Sequence, residues 1–182
     1  RISPVWKKRI TANPETSLSK NVIGPPSVVL YKKIPGLSYD NHLKWLVDID
    51  FYISYLRQVP GPEQIPARLV NVGIGQDQVT QSCFRNPLVE IPENLYVLDK
   101  YGIQSLKHIL VYDAFWRFLR NLDIRSSGDI RNAGYHLPVP PVILSMIRFQ
   151  SAIPPALLKT GVFSKPLMFL HYISQIPKLI RG

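Results

Sequence analysis

Cysteine is nearly absent from this 182-residue chain: Cys83 is the only one, so no internal disulfide can form and nothing indicates an oxidising compartment. Cys83 itself reads as a filler of a half-buried strand position rather than a nucleophile. No apolar run reaches the roughly eighteen residues of a bilayer-spanning helix, and no charged-then-apolar start resembles a signal peptide. Both absences point to a cytosolic or peripheral protein. The histidines, His42, His108, His136 and His171, are scattered without metal-ligand spacing, which argues against a zinc site and leaves no metal ligand to assign. No Gly-rich turn from strand to helix of the nucleotide-binding type occurs, and with Arg1 as first residue a further N-terminal segment is expected. Acid is missing from the last third: after Asp129 there is no Asp or Glu, while Arg131, Arg148, Lys159, Lys165, Lys178 and Arg181 remain.

What is present is a net charge of +10, concentrated by that missing acid. An acid-free, apolar-rich tail suits an anionic membrane face or phosphate-bearing ligands, each cation near such a surface contributing about 1 kcal/mol; a solvated basic surface is the plain alternative. The cations are spread singly among aliphatics rather than clustered with a stacking platform of aromatics, which argues against nucleic acid as a partner. At this length one domain could bury roughly 70% of the surface its unfolded chain exposes.

Residues 1–20 show no sustained periodicity and read mostly as loop. Gly24-Pro25-Pro26 punctuates the start of a strand from Pro26 to Lys32, and Ile34 to Leu43 is a connection turning at Pro35-Gly36. Trp45 to Arg57 reads as a loop running into a short helix whose Ile49, Ile53 and Leu56 mark a buried face, with Asp48 placed to cap its first turn. After Pro60-Gly61-Pro62 a second strand is expected from Ala67 to Ile74, then a polar loop carrying Gln78, Thr80 and Gln81. Helices are expected over Glu93 to Tyr101, Leu106 to Leu122, Val142 to Gln150 and Pro166 to Ile176. This divides the chain into residues 1–86, mixed in character, and a helical, basic region 87–182 that could face a membrane.

The most informative stretch runs from Asn21 to Asp50. It reads Asn-Val-Ile-Gly-Pro-Pro-Ser-Val-Val-Leu-Tyr-Lys-Lys, a short gap, then Leu-Lys-Trp-Leu-Val-Asp-Ile-Asp-Phe-Tyr. A turn shaped by glycine and proline brings backbone close to a ligand at Gly24 and Pro26, with Ser27 able to bond a hydroxyl or phosphate. Trp45 offers either a platform for a sugar ring or a core aromatic. Asp48 could be a general base or a plain helix cap; Asp50, two positions on, would point to nearly the opposite side of the helix. Lys32 and Lys33 could assist a diphosphate leaving group or end a solvated strand.

In this order of elements the chain resembles the acceptor-side half of a bacterial family 2 glycosyltransferase with a GT-A catalytic domain, over roughly residues 20–125. The family's Glu-Asp-x-Asp motif falls on Val47-Asp48-Ile49-Asp50, with Val47 in place of the glutamate. The resemblance implies an α/β fold: an incomplete GT-A-like mixed sheet over 1–86, followed by a mostly helical extension. It also implies Asp48 as catalytic base with Asp50 as second choice, and substrate-binding positions at Gly24, Pro26, Ser27, Lys44 and Trp45. Many relatives carry Arg where this chain has Ser54, so no charge partner for Asp50 is expected from its own helix. The implied activity is inverting transfer of a sugar from a nucleotide-diphosphate donor to a saccharide or lipid-linked acceptor in cell-surface polysaccharide synthesis. Mg or Mn would serve the complete enzyme through a ligand motif outside this chain, and the chain alone is expected not to turn over. The rival reading is a non-catalytic basic module docking on anionic membrane or nucleic acid.

Overall fold

The computed structural model describes residues 2–67, 69–71, 73 and 82–181. The chain separates into two compact units, Arg1–Phe84 and Arg85–Gly182. Among the described residues both units are built from helices and turns, with no strand, which overturns the α/β mixed sheet expected for residues 1–86.

The first unit begins where only loop was expected. Helix α1 spans Pro4–Ala12: the Ser3 side chain accepts from the Trp6 N–H at 3.4 Å, and Pro4 opens the helix where its missing N–H costs nothing. A 3₁₀ segment follows at Pro14–Ser19, and helix α2 spans Val47–Leu56, burying Phe51, Tyr52, Ile53 and Leu56. The expected strand from Pro26 to Lys32 instead opens with a 3₁₀ turn, Pro26–Val28. Val29 beyond it is extended (φ −113°, ψ 129°), as its β-branched side chain favours. An extended segment becomes a strand only when a neighbour supplies a ladder, and Pro25 and Pro26 have no N–H to offer one. The Lys32 N–H turns to a side chain, donating to the Tyr55 hydroxyl at 3.1 Å. Leu30, left without a sheet face to pack on, is 93% exposed. The second expected strand, Ala67 to Ile74, is also not formed: its described residues, 67, 69–71 and 73, are in no strand, and Leu69 and Val70 are exposed, while the loop with Gln78, Thr80 and Gln81 lies outside the described residues. Cys83, expected in a half-buried strand, is fully buried without one.

The second unit contains six helices among the described residues: α3 Pro87–Tyr101, α4 Ile109–Asn121, α5 Ser127–Asn132, α6 Pro141–Ser151, α7 Pro155–Lys159 and α8 Gly161–Arg181. Their ends follow local chemistry. Asn86 caps α3 by accepting from the Leu88 N–H, Gly102 at φ +86° ends it, and Ser126 with Asp129 forms a reciprocal capping box on α5. Arg125 donates to the carbonyls of Gln150 at 2.8 Å and Ile153 at 3.5 Å, closing the C-terminal end of α6 with a cation where the helix dipole favours one.

Trp116 on α4 is the fully buried centre. Its Nε1–H donates to Ser164 Oγ on α8 at 3.0 Å, Gln150 on α6 donates to its carbonyl at 3.0 Å, and Arg120 adds a second donor to Ser164 Oγ at 3.1 Å. Beside it, His171 of α8 lies 2.6 Å by Nδ1 from the Tyr112 hydroxyl and 3.0 Å by Nε2 from the Ser145 hydroxyl, so α4, α6 and α8 meet at one imidazole. Both ring nitrogens are thereby satisfied out of water, as burial demands.

Two predictions follow from this core. Ser164→Ala takes the hydroxyl acceptor from the buried Trp116 Nε1–H and from the half-buried Arg120 guanidinium, and is expected to cost about 1–3 kcal/mol in urea denaturation. Burial, assisted by the Lys178 charge, lowers the pKa of His171 from its ordinary 6.5. The unfolded chain thus takes up a proton that the folded one refuses. Stability is full above that ordinary value and falls as pH drops below it. Thermal midpoints measured against pH should show this loss, and His171→Gln should remove it.

Candidate functional site

The first unit gathers tyrosines around α2. Phe51 and Tyr55, four residues apart, share a face of that helix, their rings stacked with centroids 6.0 Å apart. The returning chain adds Tyr39, stacked on Phe51 at 4.3 Å, and Tyr31, tilted against Phe51 at 4.9 Å and edge-on to Tyr55 at 5.7 Å. A turn from Ile34 to Leu37, with Gly36 at φ +78° where a side chain would be strained, makes the return possible. Between these rings and that turn lies a cavity of ≈ 390 Å³ whose lining also includes Lys33 and Ser38. Its size falls in the usual range for small-ligand sites, roughly 300–1,000 Å³.

Asp48 stands in the first turn of α2 but does not cap it; the N-cap is Leu46, without a side-chain bond. Its side chain is half-buried, and burial raises its pKa. Its charge is felt by two phenols. Tyr39 is pushed up to about 12 by burial first, then by its hydrogen bond and proximity to Tyr31, with Asp48 adding to the effect. Tyr52 is raised by burial and next by Asp48. Asp48 is not part of the cavity wall; Tyr39 is, and links the two. Asp50 is only 2% exposed and belongs to the interior of the unit.

The glycine turn is joined to the same helix. The Tyr52 hydroxyl donates to the Gly24 carbonyl at 3.0 Å, and Asn21 embraces the turn, accepting from the Gly24 N–H at 2.9 Å and donating to its carbonyl at 3.3 Å. Gly24 sits at φ +107°, a conformation that strains other residues. Its backbone polar groups are therefore spent within the fold. Pro26 opens the short 3₁₀ turn, and Ser27 on it is exposed. Lys44 is exposed and Trp45 half-buried, its ring 6.4 Å from that of Phe84; neither lines the cavity. Of the expected site residues, then, Gly24 and Asp48 are drawn together around Tyr52, while Lys44 and Trp45 do not join the aromatic cavity. Tyr31, Tyr39, Phe51 and Tyr55 were not anticipated. The i, i+4 pair Phe51/Tyr55 carried a legible signal; Tyr31 and Tyr39 reach it only through the turn at Gly36.

Among the described residues no group of three or more His, Cys, Asp or Glu is gathered to hold a metal ion; the resemblance puts the ligands of its Mg or Mn outside this chain, and no step is derived through it. No helix among them is long and apolar enough to cross a membrane. No protein family, no curated protein and no solved structure matches the chain.

The raised pKa of Asp48 sets a stability trend of the opposite sign to that of His171. The folded state holds the proton more tightly than the unfolded one, so this group's contribution declines as pH rises from the ordinary carboxyl value through the folded one. Asp48→Asn should therefore melt higher than wild type at neutral pH, the difference vanishing in acid; calorimetry across that range checks it.

Proposed function

We propose that the chain supplies the acceptor-side part of an inverting glycosyltransferase, which moves a sugar from a nucleotide-diphosphate donor to a saccharide or lipid-linked acceptor in cell-surface polysaccharide synthesis, at the inner face of the plasma membrane. The helical fold of the described residues lends this no support, so the proposal rests on site chemistry. The observation that carries it is a desolvated carboxylate, Asp48, coupled through Tyr39 to an aromatic-lined cavity.

Pyranose C–H faces pack on aromatic rings, and Tyr31 and Tyr39 are the partly exposed rings of the cavity. An acceptor sugar held there would present a hydroxyl toward the side of Tyr39 that senses Asp48. The carboxylate would take the hydroxyl proton as that oxygen bonds to the anomeric carbon, and the nucleotide diphosphate would leave with the electron pair of the broken C–O bond. Burial suits Asp48 to this, because a raised pKa makes the carboxylate a stronger base nearer working pH. Lys33, in the cavity lining, adds a positive charge where phosphate oxygens could be met.

Saturation-transfer NMR with simple pyranosides tests the reading on the chain itself. Contacts are expected for wild type and Asp48→Asn and should be lost in Tyr39→Ala; absence of any saccharide contact would overturn the proposal. In a polypeptide that also carries a donor-binding half, Asp48→Asn should lower the transfer rate by about 10²–10⁴ without weakening acceptor binding.

A further inference from the structure

Helix α8 has a buried face and an exposed apolar one. The first packs into its unit through Ser164, Met168, His171, Tyr172, Gln175 and Leu179, all buried. On the opposite side Val162, Phe163, Phe169, Leu170, Ile173 and Ile180 recur at the spacings of a single helical face, and all are exposed, Val162 by 79%, Leu170 by 62% and Ile180 by 64%. Over 21 residues the helix is about 30 Å long, so this is an extended stripe rather than a scatter of single side chains.

Charge indicates what would cover it. At 100° per residue, Lys165 and Lys178 fall on the two opposite edges of the stripe, and both are exposed. Lys165 remains 69% exposed although its amine is 3.8 Å from Asp113 Oδ2, a carboxylate that Arg117 already engages at 3.0 Å. No carboxylate side chain occurs anywhere from residue 130 to residue 182, where Lys159 and Arg148 add further exposed positive charge. A second copy laid on this stripe would bring lysine edge to lysine edge with no carboxylate on α8 to neutralise them. A bilayer surface carrying anionic headgroups answers both features: acyl chains accept the stripe, and the lysines reach outward to the phosphates.

We propose that the outward face of α8 docks in the plane of an anionic lipid bilayer, seated at the headgroup level rather than spanning it. The inference is independent of the saccharide reading, since it concerns the other unit and needs no sugar.

Flotation of the full chain with vesicles made of equal parts phosphatidylcholine and phosphatidylglycerol, against vesicles of phosphatidylcholine alone, tests it. Wild type should bind the mixed vesicles, more weakly as salt rises, and bind the neutral ones far less. Lys165→Gln/Lys178→Gln should weaken binding by about 25-fold, about fivefold for each cation. Leu170→Asp/Ile173→Asp should abolish flotation while circular dichroism and the thermal midpoint stay at wild-type values. Failure of wild type to bind mixed vesicles would overturn the proposal, as would unchanged binding by either double variant. A wild-type dimer in sedimentation that the aspartate variant splits, without vesicle binding, would assign the stripe to a second copy instead.

Discussion

The described backbone of the first unit has to be satisfied without a sheet, and this constraint shapes what surrounds α2. The turn at Gly24 and the extended segment after it would ordinarily find partners in a ladder. Here Asn21 and the hydroxyls of Tyr52 and Tyr55 take that role. Each of these tyrosines must then lie where a backbone group needs it, which draws α2 against the chain on either side. The cavity is a by-product of this arrangement: with Tyr55 held at Lys32 and Phe51 one helical turn before it, Tyr31 and Tyr39 close over an aromatic floor.

The second unit solves the same problem differently. Helices and the turns that end them satisfy its backbone locally, and its buried polar side chains connect one helix to another. Ser164, Gln150, Tyr112, Ser145 and His171 all bond across helices, around Trp116 and the imidazole. Apolar packing would hold α4, α6 and α8 together in many rotations; these bonds select one. That selection also decides which side of α8 faces outward, and hence where its exposed stripe lies.

Helices were legible in the sequence where caps and apolar spacing agreed. Gly102 ends α3 as expected and Val142 to Gln150 lies within α6, but α3 begins at Pro87 rather than the expected Glu93, because Pro92, read as marking its start, lies inside the helix. The start of α4 was misplaced because Ile103–Lys107, apolar enough to extend the pattern, forms a separate 3₁₀ turn before it. Helix α8 runs through Pro166 and Pro177, read as limits; both are exposed. The strand at Pro26 to Lys32 failed for a different reason: β-branched residues set the local backbone angles, but pairing depends on partners that a local pattern does not contain. Within the site, Asp48 was visible as a carboxylate at a helix start. The aromatic cavity was not, since it needs Tyr31 and Tyr39 brought back from positions that no periodicity links to α2.

The two prolines of α8 also bear on how far that helix could sink into lipid. Lacking an N–H, Pro166 and Pro177 deprive the carbonyls of Val162 and Ile173 of their usual donors, on the outward side. Hydrocarbon offers such oxygens no substitute, whereas interfacial water does. On the docking proposed for α8, these oxygens act as depth markers: they hold the stripe at the hydrated boundary of the bilayer, keeping attachment shallow and reversible.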